Sequence, residues 1–447
     1  MLYEIENFAK DFLETTNDKK EILIISHFDT DGITSASILG LCLKELNKKF
    51  SFKIVKRLEK DFFKTLPKTK TIIFLDLASS MLKEISEMPN NVFIVDHHEI
   101  DTEFQTPNHL KILNHHLFHS GEEMSGSCLT YLFTKALTKS PNIQRANLGI
   151  VGLVGDIGEK NIGPLTNTII KDSGISLKKG VLLYPSTRPL NKTLEYCSNP
   201  YIPGITGDNQ GANELLREAG ITFTKQGYKS LIELNEDEMK RLVTAIALRI
   251  PDPEKMSEFV GNLFLVKFFN QQEDARELSA LINACSRMGH PNTALLMCMG
   301  NHTARRQAVK IHIKYRQSIV QALKHVDTQE KIQGDKYVIM NAKDQIENTI
   351  IGTIASIVSM SAIYKEGTII VAMAYDQDKI KVSSRISGRG KKDNTRNLKE
   401  IMDEVTDLVG GEAGGHKMAA GCLISKEKEE AFIDVVKKKL DLDVVKI

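Results

Sequence analysis

The segment IISHFDTDGITSA, residues 24–36, places an imidazole and two carboxylates directly behind an apolar run. His27, Asp29 and Asp31 alternate along the chain, so in an extended segment their side chains share one side. Imidazole and carboxylate groups suit Mn²⁺ or Mg²⁺ better than a thiolate-seeking metal. Gly32 allows a sharp turn into a helix whose N-terminus favours an anion. Alternatively, Asp and Thr serve only as a helix cap and His27 is an incidental surface residue, and the segment alone leaves both interpretations open.

Short β-branched runs alternate with helical patterns through the first part of the chain. Runs that are apolar on both faces are typical of a buried parallel sheet. We therefore predict an α/β fold with a doubly wound, mostly parallel sheet, whose ligands gather at the carboxyl ends of the strands. The predicted strands are residues 21–26, 52–57, 71–77 and 91–96, and the predicted helices include 34–49 and 126–138.

Two further predicted strands end in potential ligands. Asp76 closes one apolar run, and Asp96, His97 and His98 close the next. A single Asp at a strand end usually serves a turn or cap, but several at one sheet edge would repel one another unless cations neutralise them. Asp156 follows an apolar helix between glycines, and for this residue alone a helix C-cap is the better interpretation.

The remaining chain divides into two further regions. Residues 186–328 are predicted to be a loop-rich and helical connector, and residues 329–447 a smaller α/β domain, after a first domain at 1–185. The last domain contains GGEAGGHKMAAG, residues 410–421, which we predict to be a glycine-rich loop around one histidine.

Composition sets broad limits on the function. The chain of 447 residues is 41% hydrophobic and has a net charge of +2, so charge alone neither supports nor excludes a nucleic-acid partner. No apolar run approaches the ~20 residues of a membrane span, and the first residues lack signal-peptide features. The six cysteines have no CxxC spacing, which favours buried thiols in a reducing cytoplasm. We therefore expect a cytoplasmic protein without a membrane partner.

These motifs resemble a known family. SHFDTDG, the isolated Asp76, DHH and GDIGE follow the order and rough spacing of the four motifs of the DHH phosphoesterase superfamily. The segment at 410–421 resembles the glycine-histidine loop of the associated DHHA domain. The resemblance implies two divalent cations, Mn²⁺ first with Mg²⁺ or Co²⁺ as alternatives. Their implied ligands are His27, Asp29, Asp31, Asp76, His97 and Asp156.

The resemblance also implies roles beyond metal binding. His98 would face the scissile phosphate, and Asp96 would orient His97. Two cations roughly 3.5–4 Å apart can activate a water and stabilise both oxygens of an in-line displacement. The implied substrate-binding residues are Arg385, Ser384, Gly414, Gly415 and His416.

The long connector distinguishes members of the superfamily. Oligonucleotide and cyclic-dinucleotide phosphodiesterases are compact, whereas RPLNKTLEYCSNPYIPGITG and LINACSRMGH are similar to segments of archaeal RecJ-like proteins. This resemblance implies a single-strand-specific exonuclease that acts on DNA, RNA or both, in DNA replication or repair. The alternatives are such a phosphodiesterase, or a replisome scaffold with GINS-type or helicase-type partners and secondary nuclease activity. Polarity and sugar preference are left open.

Several other polar residues are given simpler interpretations. Ser125 is expected to cap a helix, which we favour over a phosphate contact by Ser127, and Asn114 is expected to brace the site. The basic run at 388–396 suits a solvated face and a phosphate-tracking loop equally well. Three histidines are expected to be surface or packing residues: His115, His116 and His119.

Overall fold

The computed structural model describes residues 1–17, 21–118, 122–197, 202–250, 259–361, 363–388 and 396–445. His119 and residues 389–395 of the basic run lie outside these ranges. The chain forms two compact units, Met1–His312 and Ile313–Ile447. Within the described part, no helix is both long and apolar enough to cross a bilayer.

A five-stranded parallel sheet forms the centre of the first unit and confirms the predicted fold class. Its strand order is β2-β1-β3-β4-β5, with all strands parallel. The chain adds β2 on one side of β1 and the later strands on the other, and such a switch point forms a crevice at the carboxyl ends of β1 and β3. The last strand was not predicted, since its four residues carry little periodicity. The strands are β1 (Ile22–His27), β2 (Phe50–Val55), β3 (Thr71–Leu75), β4 (Val92–Val95) and β5 (Leu110–Leu113).

Helices cover both faces of this sheet because its side chains alternate between two apolar cores. Ile24 and Ile73 pack into the larger core, whereas Ile25 and Phe74 pack into the smaller one. The larger core is covered by α1 (Leu2–Thr15), α2 (Thr30–Glu45), α5 (Gly126–Thr138) and α6 (Ile143–Gly155), and the smaller by α3 (Lys60–Lys64) and α4 (Leu82–Ser86).

The middle of the chain has an apolar core of its own. It contains the predicted helices but also an antiparallel sheet, β6-β7-β8, that the sequence analysis missed. Strand β7 joins two cores, since Leu263 and Leu265 face the middle core while Phe264 and Val266 enter the larger one. The elements are α7 (Pro164–Ser173), β6 (Ser176–Val181), α8 (Leu190–Glu195), α9 (Asn209–Glu218), α10 (Glu236–Ala247), β7 (Val260–Phe268) and β8 (Gln271–Asp274).

Three helices follow the middle sheet. The first two, α11 (Ala275–Arg287) and α12 (Pro291–Cys298), pack into the larger core of the first unit. The boundary between the two units falls within the third, α13 (His302–Thr328). All six cysteines are buried and none forms a disulfide, which confirms that part of the prediction.

The second unit is a mixed six-stranded sheet in the order β13-β14-β12-β11-β10-β9. The prediction of a loop at 410–421 was wrong. This stretch contains β13, which pairs antiparallel with β14. The elements are β9 (Ile332–Gln333), β10 (Tyr337–Asn341), α14 (Asn348–Met360), β11 (Ile369–Asp376), β12 (Lys379–Ile386), α15 (Leu398–Val409), β13 (Glu412–His416), β14 (Ala419–Ser425) and α16 (Glu429–Val445).

Helix α1 is held by aromatic packing, and this contact can be tested. The fully buried ring of Phe12 meets those of Phe93 and Phe133 edge to face, at 5.1 and 5.3 Å between centroids. We expect Phe12→Ala to lower the free energy of unfolding by ~3–5 kcal/mol in urea denaturation followed by circular dichroism. Tyr3→Ala, at a residue of the same helix that is 71% exposed, should change it by less than ~0.5 kcal/mol. Equal effects would contradict this account.

Candidate metal centre

The exit of β1 supplies the first two predicted ligands. Asp29 is the N-cap of α2, and its Oδ1 accepts a hydrogen bond from the Gly32 amide at 3.0 Å. Its other oxygen, Oδ2, lies 2.9 Å from Nδ1 of His27, the last residue of β1. The two alternatives left open by the sequence are therefore compatible, because one carboxylate oxygen caps the helix while the other remains beside His27.

Asp76 occupies the centre of the cluster. It follows β3 in the left-handed region, with φ of +58°, and is 1% exposed. Neither of its carboxylate oxygens accepts a hydrogen bond from the described residues. The histidine nitrogens nearest to these oxygens are His97 Nε2 at 3.2 Å from Oδ1 and His27 Nδ1 at 3.5 Å from Oδ2. One oxygen thus lies toward each histidine, as a carboxylate shared between two cations would require.

Asp31 is held by the N-terminus of a second helix. Its carboxylate accepts hydrogen bonds from the backbone amides of Gly126 at 2.6 Å and Ser127 at 3.0 Å, both in the first turn of α5. The helix dipole favours a negative charge at this point. The Oδ2 atom lies 3.9 Å from His97 Nε2, so Asp31 reaches the same cluster from the opposite side of the crevice.

Asp156 completes the group from the end of α6. It is the C-cap of that helix, as its sequence context indicated, and its Oδ2 also lies 3.6 Å from His97 Nε2. The cluster contains two sets of mutually close donor atoms without a shared residue, in keeping with room for two ions. They are His27, Asp29 and Asp76, and Asp31, His97 and Asp156, while a third set, Asp76, His97 and His98, overlaps both.

The carboxylates of this cluster repel one another. Burial, reinforced by the charges of Asp31 and Asp29, raises the pKa of Asp76 to about 7. Burial and the charge of Asp31 raise the pKa of Asp156 to about 6. The charged forms of Asp76 and Asp156 are thus unfavourable in the protein alone.

The histidines partly compensate for that charge. Burial opposes the protonated form, yet the carboxylates of Asp29 and Asp76 raise the pKa of His27 to about 10. Against the same opposition, Asp76 and Asp31 raise the pKa of His97 to about 10. These donors can exchange their protons for divalent cations, since coordination requires neutral imidazole and ionised carboxylate. The buried oxygens of Asp76, which accept no hydrogen bond from the described residues, and the mixed N/O donor set fit such an ion.

Asp96 has a different partner from the one predicted. Its Oδ1 lies 2.7 Å from Nδ1 of His98 and accepts the backbone amide of His97 at 2.8 Å, so it orients the His98 ring and not the His97 ring. Its Oδ2 accepts a hydrogen bond from the Ser79 backbone amide at 2.9 Å. Asn114 donates to the backbone oxygen of His98 at 2.9 Å, which confirms its predicted bracing role.

Other predicted residues near the crevice have structural roles. Ser125 caps α5 by accepting from the Cys128 amide at 3.3 Å, as expected. The Ser127 hydroxyl is fully buried and donates to the Gly149 carbonyl at 3.1 Å, so only the backbone of Ser127 serves the site. His115 is buried, and burial lowers its pKa to about 4.

Glycines allow the close backbone approaches that build the cluster. A Cβ at Gly152 would meet Ser127 Oγ first, then Thr34 Oγ1 at 2.5 Å and Asp31 Oδ1 at 2.6 Å, and one at Gly126 would lie 2.9 Å from Asp31 Oδ2. The amides of Gly126 and Ser127 are contacts that the sequence analysis missed. The small residues at the start of α5 were the available signal, because only small residues let two helices meet around a carboxylate.

The predicted substrate residues lie in the second unit. Arg385 on β12 donates to Ser356 Oγ at 3.0 Å and to the backbone oxygen of Ser384 at 2.7 Å. The Ser384 side chain is fully buried and donates to the Ala420 carbonyl at 2.9 Å. Adjacent strand residues point to opposite faces of a sheet. The Ser384 side chain therefore does not lie beside that of Arg385, although both were expected to bind the substrate.

Strand β13 presents the glycine-histidine motif. Gly414, Gly415 and His416 are exposed. Gly415 has φ of +129°, and a Cβ there would lie 2.5 Å from the Ala419 carbonyl oxygen, so the hairpin requires glycine.

Comparison with protein families divides the chain into three parts. Residues 21–153 match the model of the DHH family N-terminal domain, residues 183–255 the DHH-CID domain, and residues 334–441 the DHHA1 domain. The middle match falls in the region that forms a separate core.

Two relatives illustrate the range of similarity. The chain is 26% identical to the uncharacterized protein MJ0831 of Methanocaldococcus jannaschii, over 97% of this chain and 96% of the relative. It is 22% identical to YorK of Bacillus subtilis, whose name proposes an SPbeta prophage-derived single-strand DNA-specific exonuclease, over 60% of this chain and 53% of that protein.

Two solved structures share the fold. RecJ in complex with Mn²⁺ from Thermus thermophilus matches with a TM-score of 0.61 and 17% identity, over 97% of this chain and 54% of that chain. CDC45 from Entamoeba histolytica matches with a TM-score of 0.67 and 13% identity, over 98% of this chain and 99% of that one. This chain therefore spans about half the length of YorK and of the Thermus RecJ.

The close approach at Gly152 can be tested by adding one methyl group. We expect Gly152→Ala to displace Asp31 together with the Ser127 and Thr34 side chains that it also crowds. Mn²⁺ binding should weaken by at least tenfold in calorimetric titration, in line with the ~10–100-fold cost of disturbing the support of a metal site. Gly149→Ala, three residues earlier in α6, is the control, since its Cβ would come no closer than 3.5 Å to a neighbour. Unchanged affinity in a folded Gly152→Ala variant would contradict the assignment of Asp31.

Proposed function

The chain belongs to the DHH superfamily and has a RecJ-like fold, and on that premise we propose that it is a metal-dependent exonuclease that hydrolyses single-stranded DNA or RNA from an end. The observation that carries the proposal is the buried carboxylate of Asp76, which accepts no hydrogen bond of good geometry from the described residues and has one oxygen close to each of two histidines. A structural carboxylate would be expected to have its hydrogen bonds satisfied.

The first unit would hold two divalent cations. We propose that His27, Asp29 and Asp76 hold one, and that Asp31, His97 and Asp156 hold the other, with Asp76 shared. The oxygen and nitrogen donors suit Mn²⁺, with Mg²⁺ or Co²⁺ as alternatives. When bound, such ions supply a Lewis acid that activates water and stabilises charge on a phosphodiester.

His98 would act on the substrate and not on the cations. Its Nδ1 is engaged by Asp96, which leaves Nε2 as the remaining donor of the ring, and its side chain is 53% exposed. The hydrogen bond with Asp96 raises the pKa of His98 and so favours the imidazolium form. We propose that this cation contacts the scissile phosphate and offsets its charge.

The second unit would bind the nucleotide strand. A guanidinium such as that of Arg385 matches phosphate with two parallel donors. Gly414, Gly415 and His416 form an exposed strand on which backbone amides can approach a phosphate.

Two alternatives remain within the same superfamily. The likeness in fold to CDC45 favours a binding scaffold for replication proteins, whereas a complete donor set favours catalysis. A phosphodiesterase acting on oligonucleotides or cyclic dinucleotides would share the same chemistry. Partners of GINS or helicase type and a role in repair or replication are part of this proposal.

The activity can be tested with single strands labelled at either end. We expect Mn²⁺-dependent release of mononucleotides from one terminus, with little release from a matched duplex. Asp76→Asn should reduce the rate more than roughly a hundredfold, since loss of a ligand exceeds the ~10–100-fold effect of an outer partner. Asp172→Asn is the control, because this partly buried carboxylate pairs with Lys135 outside the cluster.

The outcomes separate the candidates. Full activity of Asp76→Asn would remove the two-cation assignment. Cleavage of short or cyclic substrates alone would favour the phosphodiesterase, and binding of helicase-type partners without release of nucleotides would favour the scaffold.

The Asp96–His98 pair predicts a change in pH dependence. If the imidazolium form of His98 is needed, activity is present below the pKa of His98 and is lost as pH rises through it. Asp96→Asn removes the group that raises this pKa, so the alkaline limb of the kcat/KM profile should move to lower pH. Glu99→Gln, at an exposed neighbour, should leave the limb in place. An unshifted limb in Asp96→Asn would exclude this role.

A further inference from the structure

Helix α11 contacts the start of α2, where Asp29 and Asp31 lie. Thr30, the residue between these two carboxylates, places its Oγ1 3.1 Å from the backbone oxygen of Ser279 and 3.1 Å from its hydroxyl. Thr30 is 1% exposed and Ser279 is 7% exposed, so water competes little for these hydrogen bonds. Thr30, and with it the segment of Asp29 and Asp31, is thus hydrogen-bonded to a helix almost 250 residues later in the chain.

The same helix contacts the segment that follows Asp156. Arg276 donates from Nη2 to Glu159 Oε1 at 2.8 Å, and the two side chains are 24% and 11% exposed. Glu159 lies in the 3₁₀ turn Gly158–Lys160, which begins two residues after Asp156. A Cβ at Gly155 would lie 2.7 Å from Thr30, which shows how tightly these elements meet.

The first turn of α11 is in turn held by the middle segment. Asp274 caps the helix and accepts the Ser186 hydroxyl at 2.6 Å. Glu277 accepts the Thr187 amide at 2.8 Å and its hydroxyl at 2.7 Å. One helix therefore connects residues 186–187 with both loops that present metal ligands.

From these contacts we infer that Arg276 and Ser279 are positioning residues for the metal centre. Through them, α11 couples the middle segment to the affinity of that centre for cations. The inference rests on the proposed metal site. Ligands must be held within ~0.5 Å and 10–20° of productive geometry, which requires support beyond the ligands themselves. Loss of Arg276 would leave the Glu159 charge unpaired in a largely buried place, so the turn after Asp156 would move to rehydrate it.

A neighbouring ion pair provides a matched control. Arg305 donates to Glu273 Oε2 at 2.6 Å, and these side chains are 23% and 12% exposed, nearly the same as the Arg276 pair. Arg305 lies on α13 and Glu273 on β8, and neither segment carries a predicted ligand. Removing either arginine should cost similar stability, but only Arg276 should affect the cations.

The test measures Mn²⁺ binding to the full chain directly, by the electron paramagnetic resonance signal of free Mn²⁺, together with melting temperature. We expect Arg276→Gln to weaken binding at least tenfold, within the ~10–100-fold range for outer partners of a metal site. Arg276→Lys should restore part of the affinity, because it keeps the charge beside Glu159. The Mn²⁺ affinity of Arg305→Gln should stay within twofold of that of the parent protein. If Arg276→Gln does not fold, Glu159→Gln gives the same test.

A second variant tests the coupling to the middle segment. Ser186→Ala combined with Thr187→Val removes two hydroxyl donors to α11 without touching a ligand or its loop. We expect Mn²⁺ binding to weaken at least threefold, while Lys192→Gln, at a residue of the same segment whose ion pair with Glu195 lies apart from α11, leaves it unchanged.

The outcomes are distinct from those of the proposed activity. Equal Mn²⁺ affinity in Arg276→Gln and the parent, or equal weakening in Arg305→Gln, would overturn the positioning role. Unchanged affinity in the double variant would overturn the coupling. If the parent binds Mn²⁺ but releases no nucleotides, the binding measurements still decide the inference while the proposed nuclease fails. Absence of Mn²⁺ binding by the parent would overturn both.

Discussion

The first unit depends on one electrostatic constraint, the burial of several carboxylates at one edge of a parallel sheet. Ionised carboxylates lose hydration on burial and repel one another, so such a group is unfavourable without compensating charge. The sheet order concentrates them, because β1 and β3 are neighbours at the point where the winding of the chain reverses. Asp76 bears most of the cost, since its oxygens are buried and receive no hydrogen bond from the described residues.

Local backbone features serve this cluster. Asp76 adopts a left-handed conformation that non-glycine residues seldom occupy, and Ala78 follows in the same region with φ of +98°. This turn brings the Ser79 amide to Asp96, which in turn orients His98. The first turn of α5 supplies two amides to Asp31, so this carboxylate is stabilised by a helix dipole while Asp76 receives no hydrogen bond from the described residues. Strain and burial are thus concentrated where the chemistry would occur.

The middle region is more than a spacer between two domains. It has an apolar core of its own, and strand β7 contributes alternate residues to that core and to the larger core of the first unit. Helix α11 then contacts Thr30, which lies between Asp29 and Asp31, and Glu159, which follows Asp156. The match to a DHH-CID domain covers part of the same region, which separates this architecture from a two-domain phosphoesterase with a short linker. The second unit adds a guanidinium and an exposed glycine-histidine strand on a separate sheet.

The sequence alone determined the features that depend on local periodicity. Apolar runs predicted β1, β3 and β4, and ligand residues at their ends predicted a cluster at one edge, because parallel strands bring their carboxyl ends together. The short β5, the middle sheet and the strand at 412–416 were missed, since their pairing partners rather than their own residues stabilise them.

Tertiary structure decided the partners of each side chain. The sequence placed Asp96 beside both histidines, but only the turn after β4 directs it to His98. Likewise, Ser384 and Arg385 are adjacent in sequence yet face opposite sides of β12, and Ser279 reaches Thr30 across almost 250 residues. Contacts of this kind depend on packing between distant segments, which no local pattern of residues records.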